Sequence, residues 1–117
     1  MRRWIACVIV TSFLISCSSG DDIPRDVIPI NDMKVIMYDV MCAQELAAVT
    51  NPKDTVAARD RTFELYQQVF AIHKITKDDF FKSFHYYEAN PDKISILYDS
   101  ISAYADRKKR EMYMRIR

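Results

Sequence analysis

The chain has 117 residues, 17 Lys and Arg against 16 Asp and Glu, and a 50% hydrophobic composition. That length suits one small domain with a core, and the near-neutral balance excludes recruitment of nucleic acid by a global basic field. A single Gly excludes a phosphate-cradling glycine loop and leaves few tight hairpins.

The N-terminus carries Arg2 and Arg3, then an apolar run from Trp4 to Ile15, then the small residue Ser16 directly before Cys17. That order is a signal peptide. The run is shorter than the roughly 18 to 20 apolar residues a spanning helix needs. Leu14-Ile15-Ser16-Cys17 resembles the lipobox of bacterial lipoproteins. The resemblance implies that the Cys17 thiol takes a diacylglyceryl group as a thioether, that cleavage follows Ser16, and that the new amine accepts a further acyl chain, of the palmitate kind. Each buried methylene is worth about 0.8 kcal/mol, so two or three chains hold firmly where one holds marginally. The alternative is a plain signal or an uncleaved anchor in which Cys17 is incidental. Ser18, Ser19, Gly20, Asp21 and Asp22 resemble the export signal that sends some lipoproteins to the outer face of the outer membrane, or else form a solvated tether.

Removing Arg2 and Arg3 leaves 15 basic against 16 acidic residues, a net charge of −1 for the chain from Cys17 onward. Cys7 leaves with the signal and Cys17 is alkylated, so Cys42 is the one remaining thiol and no intrachain disulfide forms. Among Met41, Ala43 and Ala47, Cys42 reads as a small buried hydrophobe rather than a nucleophile.

The predicted organisation is a signal peptide over 1–16, a lipidated flexible tether over 17–28, a helical domain over 29–106 and a basic C-terminal helix extension over 107–117. Extended at about 3.3 Å per residue, the tether reaches roughly 40 Å. Asn31 is placed as N-cap of a first helix to about Val49, with Met33, Ile36, Met37, Val40, Ala43 and Ala47 on one face. Thr50-Asn51-Pro52 stops it. A second helix runs from Asp54 or Thr55 to His73, with Phe63, Tyr66, Val69 and Phe70 on its apolar side. Thr76 and Asp79 form a capping box for a third helix through Glu88, carrying Phe80, Phe81, Phe84 and Tyr87. Asn90-Pro91 opens a fourth with the stripe Ile94, Leu97, Tyr98, Ile101 and Ala105. No alternating β-branched run interrupts these, so the fold class is all-α, a small bundle of about four helices.

Ile30 through Glu45, Tyr66-Gln67-Gln68-Val69-Phe70, Ile75 through Phe80, Ser83, Tyr86-Tyr87, Asn90-Pro91 and Ile96-Leu97-Tyr98-Asp99 together resemble domain-of-unknown-function family 4296, small bacterial envelope lipoproteins. The resemblance spans about residues 29 to 108 and is most specific from Ser83 to Asp99. It implies a helical fold, an envelope location and no assigned activity. In the family pattern a His often follows the Asp and an aliphatic residue of the first helix. Here Asp39-Val40 is followed by Met41.

His73 and His85 are the only histidines, and neither has a second His at the four-residue helical spacing favoured by a metal site. His85, with Tyr86, Tyr87 and Glu88, reads as the solvent side of an aromatic helix rather than a proton relay. His73 reads as a helix-end cap. Ser83 lacks a base and an orienting group, so it is expected as a small residue at a close helix approach rather than a nucleophile. Tyr86 and Tyr87 lie about 100° apart on a helix, so one is expected in the core and the other at a partner surface. The basic run Arg107, Lys108, Lys109 and Arg110 is the second candidate contact, for anionic headgroups or an acidic partner, or else a solvated helix end that complements the dipole.

These readings lead to a lipid-anchored envelope protein, most simply at the outer membrane, that acts without enzymatic activity, metal or cofactor, as an adaptor or accessory subunit for another envelope protein. A small ligand-binding or chaperone-like module using the aromatic residues of helices two and three is the alternative. An enzyme resting on His85, Glu88 or Tyr87 is third.

Overall fold

The computed structural model describes residues 23–50 and 53–117, and the segment carrying Ser16, Cys17 and the Ser18 to Asp22 motif lies outside them. Four helices form, α1 over Ile30–Thr50, α2 over Thr55–Ile72, α3 over Lys77–Glu88 and α4 over Pro91–Ile116. No strand occurs among the described residues. The all-α, four-helix architecture expected from the apolar spacing is the one observed.

In α1, Met33, Ile36, Met37, Val40, Ala43 and Ala47 are all buried, as the three-and-four spacing requires. The helix starts earlier than an Asn31 cap allows. The Pro29 carbonyl accepts from the Asp32 and Met33 amides at 3.0 and 2.8 Å, which puts Asn31 inside the first turn, where its side chain accepts from Lys34 Nζ. Cys42 is exposed, against the expectation of a buried hydrophobe. It lies one residue, about 100° of rotation, from buried Ala43. Its thiol side is the side of Tyr38, whose hydroxyl pKa is pushed up first by a hydrogen bond with Cys42 and then by desolvation.

Asp54 caps α2 by accepting from the Val56 and Ala57 amides. The helix ends in a Schellman motif, with the Ile75 amide donating to Phe70 O and the Lys74 amide to Ala71 O. Lys74 holds the left-handed position at φ 55°. The buried face of α2 is Leu65, Val69 and Phe70. Phe63, expected inside, is exposed and lies under the Lys77 ammonium at 6.0 Å from its ring centre.

The Thr76–Asp79 capping box of α3 is complete. Phe80 and Tyr87 are buried, with Phe81 and Phe84 half-buried beside them. Phe80 joins α3 to α2 through Phe70 at 5.1 Å between ring centres, with Phe81 of its own helix edge-on at 5.3 Å. Pro91 opens α4 at its first position, with the Asn90 carbonyl accepting from the Lys93 and Ile94 amides. Leu97 and Ile101 are buried there. Tyr98, expected in the stripe, is exposed.

α1 is the central element, packed against both α2 and α4, while α3 packs on α4. α2 returns antiparallel to α1, bringing Tyr66 to Gln44 and His73 to Asp39. Tyr87, just before α4, meets Ile28, just before α1. Farther along the same two helices Tyr38 meets Tyr104 edge-on at 5.2 Å. The first contact lies just ahead of both helix starts and the second lies within both helices, so α4 runs parallel to α1.

The packed body does not begin where the tether was expected to end. Val27 is 5% exposed and belongs to the core, with Ile23 and Ile28 packed against it. Residues 23–28 are a strap laid on the bundle, and the tether is correspondingly shorter.

Candidate functional site

The strap is held by its backbone. The Ile28 amide donates to Ser83 Oγ at 2.9 Å and its carbonyl accepts from the Tyr87 hydroxyl at 2.7 Å. Ser83 in turn donates to Asp79 O at 2.8 Å. Both polar groups of one extended residue are thereby satisfied by two fully buried side chains of α3. Lys82 adds an ion pair with Asp26, whose carboxyl is held below its ordinary range chiefly by that hydrogen bond. Ser83 is the small buried residue expected at a close approach, and the element approaching it is the strap. Tyr87 is 0% exposed, which removes it from any partner surface. Its neighbour Tyr86 is half-buried, packed edge-on against Tyr87 at 5.6 Å, with its carbonyl taken by Asn90 Nδ2. The pair divides unequally between core and surface, and neither ring is fully free.

Beside the strap lies an open cleft of about 670 Å³ between the strap, the start of α1 and the α2–α3 turn. Its floor is apolar, with Val27, Ile28, Val35, Ile36 and Ile75, and Asp26, Asp32 and Asp79 face Arg25 and His73 around it. His73 caps the end of α2 as expected, and it also bonds Asp39 at 2.7 Å through Nε2. Asp39 therefore finds an imidazole from α2, although the position after Val40 holds Met41. A sequence window along α1 cannot show that meeting, because the two residues are 34 positions apart.

A second surface is the aromatic groove of α1, α2 and α3, about 320 Å³, lined by Met37, Val40, Met41, Gln44, Tyr66, Phe80, Phe81 and Phe84. Gln44 is its one amide. Tyr66 has its pKa pushed up by burial, partly offset by the Gln44 hydrogen bond. Met41 is 47% exposed at its lip. Sequence reading assigned the aromatics of helices two and three to this role but missed the contribution of α1, whose Met41 and Gln44 lie one turn apart on its side.

His85 is exposed and pairs with Glu88 across 3.2 Å on the outer side of α3. Tyr87 points away from that pair into the core, so the three residues do not converge. No group of three His, Cys, Asp or Glu with metal-holding geometry occurs among the described residues. None of the described helices is long and apolar enough to cross a membrane.

The third surface is the end of α4. Ile101 is its last buried residue, and Arg107, Lys108, Lys109 and Arg110 are exposed. Arg107 and Lys108 lie over the Tyr104 ring at 5.1 and 5.5 Å, and Lys108 also approaches Glu111 at 3.7 Å. Lys109, Arg110, Arg115 and Arg117 enter no ion pair with the described residues.

No curated protein and no solved structure matches this chain. A family model does, the domain of unknown function DUF4296, over residues 24–111. The matched segment starts within the strap and takes in all of α1, α2 and α3 and most of α4, so the strap is part of the family unit. With most of its length matched, the chain belongs to the DUF4296 family.

Proposed function

We propose that this protein is a lipid-anchored lipoprotein of the cell envelope, held in the outer membrane through Cys17, that binds another envelope protein as an adaptor or accessory subunit. The lipobox-like Leu14-Ile15-Ser16-Cys17 supports the anchor. With the strap beginning at residue 23, the tether from Cys17 spans at most about 20 Å at 3.3 Å per residue, and the body sits close to the bilayer.

The observation that carries the binding role is the aromatic groove. Exposed Met41 and half-buried Tyr66, Phe81 and Phe84 line an open groove, the shape that accepts the apolar face of a helix or a peptide strand. Methionine at the lip suits such a surface, because its unbranched, polarisable side chain adapts to the shape of what it meets. The same groove supports the second reading, a chaperone-like module for unfolded or apolar segments.

Crosslinking of the intact envelope with a photoreactive residue at position 41 tests both. The adaptor reading expects one stoichiometric protein, lost on Met41→Lys. Many unrelated chains at low yield would instead favour the chaperone-like reading, and no protein adduct would remove the binding role. Mass analysis of the mature chain tests the anchor, with acyl mass expected on Cys17 and none in Cys17→Ala.

A further inference from the structure

The end of α4 is a helix without a core. No residue after Ile101 is buried, and Met112, Tyr113, Met114 and Ile116 are 55 to 76% exposed. Met112 and Ile116 continue the stripe of Leu97, Ile101 and Ala105 at four- and seven-residue steps, so the apolar stripe runs on past the last residue that α4 buries. Charge divides at the same place. Residues 107–117 hold six basic side chains and one acidic, a net +5. Residues 17–106 hold nine basic and fifteen acidic, a net −6.

A chain so divided carries its own complement. The cleft beside the strap has an apolar floor, and with Asp26 already paired to Lys82 its rim still sets Asp32 and Asp79 against Arg25. An intrachain contact is out of reach, because α4 is continuous from Pro91 to Ile116 and its last turns lie about 27 Å along the helix from Ile94. Two copies set antiparallel remove that obstacle. The distance from cleft to helix end is the same in each, so a two-fold axis midway between them seats both helix ends at once, and symmetry doubles every contact toward the roughly 1,200 Å² of a stable interface.

A bilayer fits the helix end less well. Arg107 to Arg110 occupy all sides of the helix at 100° per residue, and Arg115 and Arg117 flank Ile116. An interfacial helix needs a wide apolar face, and here the stripe of Ala105, Met112 and Ile116 is thin and bordered by Lys108 and Lys109. A concave protein surface with carboxylates on its rim meets cations and apolar side chains from several sides.

We infer that this chain forms an antiparallel two-fold dimer in which the last turns of each α4 occupy the acidic-rimmed cleft beside the strap of the other copy. The assignment goes beyond the adaptor reading and does not depend on it, since the aromatic groove stays free.

The test is disulfide trapping in the full-length chain in its host envelope, on a Cys42→Ser background that removes the exposed thiol. Two differently tagged copies are co-expressed, one with Val35→Cys and the other with Met112→Cys. A single crosslinked species of dimer size bearing both tags is expected, and Asp32→Arg should lower its yield about tenfold through like-charge repulsion, with Arg110→Glu in the other copy restoring it. Sedimentation of the otherwise unaltered acylated chain in detergent should give a dimer that dissociates as salt rises. Four results would overturn the assignment: no mixed disulfide together with a monomer in sedimentation, equal trapping by Met112→Cys alone, a ladder of open-ended oligomers, or a monomer that binds phosphatidylethanolamine vesicles only when they contain phosphatidylglycerol. Loss of the position-41 partner with the dimer intact would count against the adaptor reading alone.

Discussion

The two halves of α4 have comparable helix-forming residues and opposite surroundings. From Pro91 to Ile101 the helix is fixed by what it buries, with Leu97 fully enclosed by its neighbours and Ile101 5% exposed. From Ser102 to Ile116 it buries nothing completely, and it is sustained by being the continuation of a nucleated helix, by Ala, Arg, Lys, Glu and Met at most positions, and by the Lys108–Glu111 pair. The contrast teaches that one continuous helix can serve as core in its first half and as a presented surface in its second. A buried helix face answers to volume, and a presented one answers to charge and to whatever covers it.

The largest expected effect lies at that boundary. Leu97→Ala should cost about 2 to 5 kcal/mol, the transfer free energy of the lost methyl groups plus the cavity they leave. Met114→Ala, in dilute monomer, should stay within about 0.5 kcal/mol. Denaturant unfolding of the two variants measures the gap directly. A similar cost for both would mean that the second half of α4 is packed after all, and the division of the helix would disappear.

The same division separates what was legible in the sequence from what was not. The helices could be read because their apolar residues recur at three and four, and because Asp54, Thr76, Asp79 and Pro91 announce helix starts by local chemistry. The end of α2 was harder. Its Schellman turn places Lys74 at a left-handed position that usually marks itself with Gly, and a chain with one Gly must use another residue. Phe63 is expected on the apolar side of α2, yet the buried face is Leu65, Val69 and Phe70, because packing against α1 turns the helix so that Phe63 lies outside it. The strap reads as tether in the sequence because the stretch from Cys17 to Pro29 is short, polar and interrupted by Pro24. Its fixation depends on Ser83 and Tyr87, 55 and 59 positions away, and only the three-dimensional meeting makes Val27 a core residue.

That strap sets the second expectation. Tyr87→Phe leaves the Ile28 carbonyl without its donor, and Ser83→Ala leaves the Ile28 amide without its acceptor. Each should cost about 1 to 3 kcal/mol, the desolvation penalty of a part-buried polar group left unmade. Because both act on one residue, the double variant should cost clearly less than the sum of the singles. Hydrogen exchange at the Ile28 amide resolves the two roles. It should quicken in Ser83→Ala, where the acceptor is gone, and quicken less in Tyr87→Phe. Full additivity with no change in exchange would show the strap to be held by Val27 and the apolar contact alone.

The smallest expectation concerns the start of α3, where the strapped side of the molecule carries its acid sensitivity. Thr76→Ala should cost about 1 kcal/mol through the lost cap. Asp79, the other half of the box, has its pKa lowered chiefly by the hydrogen bond from the Thr76 amide, and Asp26 is lowered chiefly by Lys82. A carboxyl with a depressed folded pKa binds its proton more readily in the unfolded chain. Its contribution is therefore complete above the unfolded value of about 3.9 and is lost as pH falls through the folded value. Asp79→Asn keeps the size of the side chain and removes the charge. The difference in melting temperature between the unaltered chain and Asp79→Asn should be present at neutral pH and should shrink only below about pH 4. A difference that stays constant into strong acid would assign the cap to side-chain shape rather than charge, because protonation would then have nothing left to remove.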